Sequence, residues 1–133
     1  MSSYLLIFNN LNKNNMYTKE EAQVKMQKYV GYKNRSIELN HGYFPGVIIY
    51  EHLTEDYGFG WVFYWQVNDE DAKDPRKIII GNGPMLIEKE TLNMYMLGTG
   101  QEIAEQIEEF KEDKDSFLQI EEDEWGNFDA INR

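Results

Sequence analysis

The sequence predicts one α+β domain, built from an N-terminal helix, an antiparallel meander of about four strands and a C-terminal helix. The chain has 133 residues, a length typical of one domain with its own hydrophobic core. Two segments with apolar residues at helical spacing each follow a capping-box pattern, and short apolar runs separated by Gly-rich turns lie between them. This order favours a sheet that carries both helices on one face.

A variable lead-in, residues 1–17, precedes the first helix, and its Asn-rich part lacks helical or strand periodicity. Thr18 and Glu21 have the spacing of a capping box, in which each side chain bonds the other residue's backbone N–H. Apolar residues then follow at helical spacing as far as Gly31, a residue type that commonly ends helices. We therefore predict a helix of about three turns that ends at Gly31.

The strand predicted at residues 61–67 shows the clearest alternation in the chain. One face carries Trp61, Phe63, Trp65 and Val67, and the other carries Val62, Tyr64 and Gln66. Successive side chains of a strand point to opposite faces of the sheet. We predict that the face with the two indoles is buried under the helices.

Three further strands complete the predicted meander. They lie at residues 47–53, at residues 77–80 joined to 85–87, and at residues 92–97. The second of these strands is interrupted by a Gly-Asn-Gly-Pro sequence, which predicts a kink or a bulge. We expect Gly81 or Gly83 to have a positive φ angle or to lie in that bulge, because glycine adopts such conformations without steric cost.

The second helix is predicted to start near Thr99 and Glu102, whose spacing repeats the capping box. Ile103, Ile107 and Phe110 form one apolar stripe, and most glutamates of this segment lie off it. We take residues 18–112 as the domain and residues 113–133 as an acidic C-terminal extension.

The charge of the chain is strongly acidic and unevenly distributed. It contains 13 Lys and Arg against 24 Asp and Glu, for a net charge of −11, which disfavours nucleic acid as a partner. Residues 101–133 contain 12 acidic and three basic residues. Such a concentration is typical either of a solvated face that promotes solubility or of a surface that attracts a basic partner.

The composition gives little support for an enzyme. The absence of Cys excludes disulfides, thiolate nucleophiles and Cys-ligated metal sites. His41 and His52 lie outside any nucleophile motif and lack zinc-site spacing, so we predict no catalytic residue, no metal and no cofactor. The early apolar run at residues 4–8 is too short for a signal peptide or a membrane span, so we expect a cytoplasmic protein with no membrane partner.

Three motifs, in this order, resemble the immunity protein 35 family, also called YrhB-like. They are an aromatic strand at residues 59–64, a Gly-Asn-Gly-Pro turn before an apolar strand, and a Gly-Thr-Gly turn before an amphipathic helix. The matching residues are Gly60, Trp61, Gly81, Asn82, Gly83, Pro84, Gly98 and Thr99. The resemblance covers residues 18–112, and residues 1–17 and 113–133 depart from the family pattern.

The resemblance implies a small α+β protein encoded beside a bacterial polymorphic or contact-dependent toxin. Such a protein protects the producing cell by binding and neutralising its cognate toxin, and the family brings no catalytic residue. An alternative from another class is a holdase-type chaperone or a general acidic protein-interaction module. A small-ligand or enzymatic domain would instead need a deep pocket with convergent polar groups.

The surface expected to bind the toxin has two parts. The first is the polar and aromatic side of the meander, represented by Tyr50, His52, Tyr64, Gln66, Asn93 and Tyr95. The second is the acidic side of the second helix, represented by Glu102, Glu105, Glu108, Glu109 and Glu112. Tyrosines bring large contact area at interfaces, and the acids would attract a toxin with a basic cleft over long range. The competing interpretation is that the first part is a solvated sheet side or lies under the C-terminal segment.

Overall fold

The computed structural model describes residues 16–131 of the chain. Its α-helices are α1 (Lys19–His41) and α2 (Ile103–Glu112). Its strands are β1 (Val47–Ile49), β2 (Glu55–Asp56), β3 (Gly60–Phe63), β4 (Trp65–Val67), β5 (Met85–Glu88), β6 (Met94–Met96), β7 (Leu118–Glu122) and β8 (Phe128–Ala130). Short 3₁₀ helices lie at Glu51–Leu53, Asp71–Lys73 and Lys114–Ser116.

The strands form an antiparallel meander, which confirms the predicted α+β class. One sheet has the order β2-β3-β5-β6-β7-β8, and a second ladder pairs β1 with β4. The two ladders are continuous along the chain, because only Tyr64 separates β3 from β4. The Tyr64 carbonyl accepts a hydrogen bond of 2.8 Å from the Tyr50 N–H. The meander is wider than the predicted four strands, since the described residues hold eight.

Part of the additional width comes from the acidic C-terminal segment. Residues 118–122 and 128–130 of this segment form β7 and β8, and β7 pairs with β6 so that Met94 lies opposite Ile120. Ile120 and Phe128 are buried in the core although acidic residues surround them in sequence. Each of these strands carries one buried apolar residue among exposed or half-buried neighbours, as expected for strands with one face in the core.

One side of the sheet, here called the α1 face, packs under the long helix. Its buried strand residues are Val47, Ile49, Trp61, Phe63, Trp65, Val67, Met85, Ile87, Met94, Ile120 and Phe128. From α1, Tyr29 places its ring 5.4 Å from the rings of both Trp65 and Phe128, edge to face in each case. The predicted burial of Trp61, Phe63 and Trp65 is therefore confirmed.

The opposite side, here called the α2 face, is also buried. Its strand residues Val62, Leu86 and Tyr95, with Leu97 directly after β6, pack against Ile107 and Phe110 of α2. The prediction that both helices lie on one face is wrong, because the helices cover opposite faces. The physical reason is that neighbouring positions of β3, β5 and β6 are apolar on both sides, so each face needs its own cover.

The first helix is longer than predicted. Thr18 and Glu21 form the expected capping box, with the Glu21 N–H donating to the Thr18 hydroxyl over 3.1 Å. The helix passes through Gly31, where an added Cβ would meet only ordinary contacts, and ends before Gly42 at φ 80°. Gly31 costs helix stability but does not end a helix whose next turns pack on the sheet.

The second helix starts without the predicted capping box. Glu102 is its N-cap residue, and no side chain bonds there to the first turn. Instead the buried amide of Gln106 accepts from the Gly98 N–H at 2.7 Å and donates to the carbonyls of Gly98 and Gln101, each at 3.0 Å. One internal glutamine therefore satisfies the backbone of the turn that leads into α2.

Three predicted strands are shorter in the structure, and the one predicted at residues 92–97 is β6 (Met94–Met96). The first ends at Ile49 and continues as the 3₁₀ helix that contains His52, and residues 77–80 form no strand. The pairing of β3 with β5 would continue into residues 77–83, but Gly81 has φ 81° and turns the chain away from the ladder. The expected positive φ angle at this turn is thus confirmed.

Gly83 has a separate role in the same turn. A Cβ at this position would lie 1.5 Å from the carbonyl oxygen of Leu97, so only glycine fits. The carbonyl of Gly83 accepts the indole N–H of Trp65 at 2.9 Å, and the amide of Asn82 donates to the Trp65 carbonyl at 2.8 Å. Pro84 accepts from the Leu97 N–H at 2.9 Å. The Gly-Asn-Gly-Pro motif therefore joins β4 to the chain after β6.

A bilayer-crossing helix is absent from residues 16–131, because neither α1 nor α2 combines the required length with the required apolarity.

Candidate partner-binding surface

The structure separates the predicted tyrosine-rich face into buried and accessible residues. Tyr95 is 2% exposed, and its ring meets the Phe110 ring edge to face at 4.8 Å. The expectation that this side of the sheet is open is therefore wrong around Tyr95, because α2 lies over it. Tyr95 belongs to the core of the α2 face rather than to a binding surface.

Tyr64 lies at the edge of α2 and bonds to a carboxylate. Its hydroxyl donates to Glu55 over 2.8 Å, and the Tyr57 hydroxyl donates to the same carboxylate oxygen over 3.0 Å. Burial raises the pKa of Tyr64 well above its usual range, and the bond to the Glu55 carboxylate raises it further. Glu55 is exposed, so this pair of tyrosines presents a hydrogen-bonded carboxylate to solvent.

Gln66 bonds backbone through its side chain, and Asn93 takes part in a turn through its own backbone carbonyl. The Gln66 amide accepts from the Ile79 N–H at 2.9 Å and donates to the Ile79 carbonyl at 3.0 Å. It thereby pairs residues 77–80 with β4 through a side chain, where backbone pairing is lost. Asn93 lies in the turn between β5 and β6, where its carbonyl accepts from the Glu88 N–H at 3.0 Å.

Tyr50 and His52 remain accessible and lie together. Their rings stack with centroids 6.0 Å apart and planes 29° from parallel. The Tyr50 hydroxyl donates to the Val67 carbonyl at 2.7 Å and lies 3.5 Å from a carboxylate oxygen of Asp69. Partial burial raises the pKa of Tyr50, and the charge of Asp69 adds to that rise. The two rings border a surface cleft of about 380 Å³.

The predicted acidic residues of the second helix all reach solvent. Glu102, Glu105, Glu108, Glu109 and Glu112 are exposed. Glu108 forms an ion pair with Lys111 at 3.2 Å, which is an exposed contact of small energetic value. Glu109 accepts a bond from the Gln101 amide at 2.9 Å. The outer side of α2 therefore carries an excess of negative charge.

The sequence analysis missed three residues of functional interest, which differ in how far the sequence pattern could have identified them. Gln106 had a signal, because it lies on the apolar stripe of α2 between Ile103 and Phe110. Asn34 had a weaker one, as a polar residue on the buried side of α1, where its amide bonds both the N–H and the carbonyl of Val47. Asp69 had none, because only the fold brings it to Tyr50.

The residues that carry the family resemblance lie in β3 and in the turns before β5 and α2. Trp61 is buried, and Gly60 begins β3 beside the backbone of Ile87. Gly98 is bonded by Gln106, while Thr99 is exposed in the turn before α2. No family model, curated protein or solved structure matches this chain.

Proposed function

We propose that this protein is an immunity protein, which binds and neutralises a cognate bacterial toxin, of a polymorphic or contact-dependent system, in the cytoplasm of the producing cell. The observation that carries this proposal is the exposed acidic row of α2, Glu102 to Glu112, together with the ordered motifs that resemble the family. An inhibitor gains from such a row because a negative surface accelerates encounter with a basic cleft and disfavours partners of the wrong charge.

The two outer layers of the molecule differ in charge, which supports a preferred approach. The helix α1 carries five Lys and Arg against three Glu, whereas α2 carries four Glu against one Lys. A basic toxin would therefore meet the α2 side first, and nucleic acid would be repelled there. On this proposal the protein acts by occlusion and performs no chemistry itself.

The proposal is tested with the toxin domain encoded in the neighbouring reading frame. Co-expression should restore growth of cells that produce that domain, and isothermal titration should give a one-to-one complex with Kd on the order of 1 nM or tighter. A toxin from an unrelated system is the control and should remain lethal. If the neighbouring frame encodes no toxin, or if the complex does not form, immunity is the wrong function.

The role of the acidic row is tested by kinetics. Changing Glu105, Glu108 and Glu112 to Gln should slow association about tenfold at low salt and flatten its salt dependence, with dissociation nearly unchanged. The matched control changes three exposed acids outside α2, namely Glu20, Glu38 and Glu90, to Gln. Equal effects of the two triple variants would show that net charge, and not the α2 side, steers the partner.

A holdase-type chaperone or general interaction module is the second candidate. It is favoured by large apolar side chains at the surface, of which Leu39, Ile80 and Trp125 are 85%, 90% and 78% exposed. These three lie on α1, on the loop before β5 and on the β7–β8 turn. A holdase should suppress aggregation of several unrelated unfolded proteins with weak affinity, whereas an immunity protein should bind one folded toxin tightly.

A further inference from the structure

A shallow cleft opens where β1 ends, and we call it the Tyr50 cleft. It is lined by Ile48, Ile49, Tyr50, Glu51, His52 and Asp69, and its volume is about 380 Å³. The cleft lies on the part of the sheet nearest β1 and β4, whereas α2 packs over Val62, Leu86 and Tyr95. It is therefore accessible in the folded chain.

The shape of the cleft follows from an irregularity in strand pairing. Ile49 pairs with Trp65, and Glu55 pairs with Val62, so the first strand of this hairpin contains three more residues than the second between these pairs. The extra residues form the 3₁₀ helix Glu51–Leu53, which lifts His52 out of the sheet. The bond from the Tyr50 hydroxyl to the Val67 carbonyl fixes the neighbouring ring.

The lining combines three kinds of surface. Ile48 is 42% exposed and supplies an apolar wall, while Tyr50 and His52 supply stacked aromatic rings. Glu51 and Asp69 are exposed carboxylates, and no Lys or Arg occurs among the described residues that line the cleft. The cleft is thus negative, aromatic and partly apolar.

Arginine is the side chain that matches all three surfaces. Its planar guanidinium stacks on aromatic rings and pairs with carboxylates in a fork geometry, and its methylene stem packs on apolar groups. Lysine presents a compact, strongly hydrated charge that uses the aromatic wall less well. A glutamate or aspartate would be repelled by Glu51 and Asp69.

We propose that the Tyr50 cleft is an anchor site for one arginine side chain on the surface of a basic protein partner. This inference rests on the proposed function, which supplies the partner. The α2 side attracts that partner over long range, and the arginine contact in the cleft then holds it in place. In this arrangement Asp69 and Glu51 hold the guanidinium, and Tyr50 and His52 form the wall beside it.

The test uses capped tripeptides as probes and the full chain, ¹⁵N-labelled, at pH 8. Acetyl-Gly-Arg-Gly-amide should give saturable amide shifts at residues 48–52 and 69, with the lysine peptide weaker and the glutamine peptide inactive. Asp69→Asn should weaken the arginine peptide about fivefold, as expected for loss of one carboxylate partner at an exposed site. His52→Ala should weaken it by a similar factor, and His52→Phe should retain binding because it keeps an aromatic wall.

Asp129→Asn is the matched control, since it removes the same charge from an exposed position on β8. It should leave the arginine titration unchanged. Shifts scattered over the acidic surface, or equal weakening by Asp69→Asn and Asp129→Asn, would overturn the proposal. Free L-arginine that binds more tightly than the capped peptide would also overturn it, by pointing to a small-molecule ligand.

Failure of this inference and failure of the proposed function are separable. If the Asp69→Asn and His52→Ala variants still protect against the toxin, and the unaltered protein binds no arginine peptide at the cleft, the anchor site is wrong and immunity is unaffected. If the protein binds the arginine peptide at residues 48–52 but protects against no toxin, the proposed function is wrong and the arginine site is retained. Thermal unfolding of each variant checks that the fold is retained.

Discussion

The two faces of the sheet are both buried, but the helices that cover them are held in different ways. The helix α1 is long and is held both by rings, with Tyr29 packed on Trp65 and Phe128, and by polar contacts to distant segments, such as Arg35 to the Gly126 carbonyl at 3.1 Å. The helix α2 has ten residues and is held by aromatic rings, with Phe110 stacked on Phe59 at 5.7 Å and edge to face with Phe117 at 5.3 Å.

The difference shows that helix length and side-chain packing contribute separately to how firmly a helix is attached to the sheet. An isolated helix of ten residues is marginal in water, so α2 depends on the packing of Ile107 and Phe110 and on the bonds from Gln106 to Gly98. The helix α1 spreads its attachment over more than six turns, from the capping box at Thr18 to Gly42. We therefore expect damage to the α1 face to unfold the whole domain and damage to the α2 face to act first on α2.

The largest effect is expected from Trp65→Ala on the α1 face. The residue is 5% exposed, and its loss removes a large buried ring and the bond to the Gly83 carbonyl. The free energy of unfolding should fall by about 3–5 kcal/mol. Denaturant titration measures this fall, and Trp125→Ala is the matched control. Trp125 is 78% exposed, so its loss should cost about 0.5 kcal/mol or less.

A similar or smaller cost is expected from Phe110→Ala on the α2 face. The ring is 3% exposed and contacts three other aromatic rings, so the free energy of unfolding should fall by about 3–4 kcal/mol. Amide hydrogen exchange should speed up in α2 well before it does in β3 and β5. Uniform loss of protection across the sheet would contradict the view that α2 is a separately attached layer.

Each face also contains one buried amide that bonds backbone, which allows a direct comparison. Asn34→Ala leaves the Val47 N–H and carbonyl without their partner, and Gln106→Ala does the same at Gly98. Each change should cost about 1–3 kcal/mol, because buried polar groups lose their bonds. The exposed Asn40→Ala is the control. Because the two sites lie on opposite faces, the double variant should be additive within about 0.5 kcal/mol.

The smallest effects are expected from tyrosine ionisation at high pH. Burial raises the pKa of Tyr29 on the α1 face, and burial and Glu55 raise the pKa of Tyr64 at the margin of the α2 face. A tyrosine whose folded pKa lies above its unfolded value contributes stability that is complete below about pH 10 and is lost as the pH rises further.

The two phenylalanine variants test that sign. Tyr29→Phe and Tyr64→Phe should each make the fall in stability above about pH 10 less steep. Urea titrations between neutral pH and the alkaline limb measure the slope. An unchanged slope in the double variant would show that neither hydroxyl is withheld from ionisation by the fold.

The sequence pattern was most informative where burial follows local periodicity. Alternation at residues 61–67 identified Trp61, Phe63 and Trp65 as core, and the spacing of Thr18 and Glu21 identified the start of α1. A run of apolar residues also predicted a strand at residues 77–80, where the structure has a loop held by the Gln66 side chain. Local apolarity cannot reveal that a neighbouring strand is paired through a side chain.

The candidate surface was predicted only in part. The exposed glutamates of α2 follow from their position off the apolar stripe, which is a local property of the helix. Tyr50 and His52 were predicted as part of the partner-binding surface, but the cleft and Asp69 were not, since Asp69 and Tyr50 are brought together by the pairing of β1 with β4. Tyr95 was wrongly predicted to lie on an open surface. Its alternation with Met94 and Met96 shows that it lies on the α2 face, but the alternation cannot show that a helix covers that face.

By itself the sequence determined the α+β class, the start of α1, the buried aromatic row and the acidic side of α2, all of which depend on residues close together in the chain. Only the tertiary structure decided that α2 crosses to the opposite face, that the acidic C-terminal segment completes the sheet, and that the Tyr50 cleft forms. These outcomes depend on contacts between distant segments. Periodicity alone does not distinguish between several arrangements of these elements. The observed arrangement buries both faces of the sheet and gives backbone groups hydrogen-bond partners in Asn34, Gln66 and Gln106. It also requires glycine at position 83, where a side chain would clash with the Leu97 carbonyl.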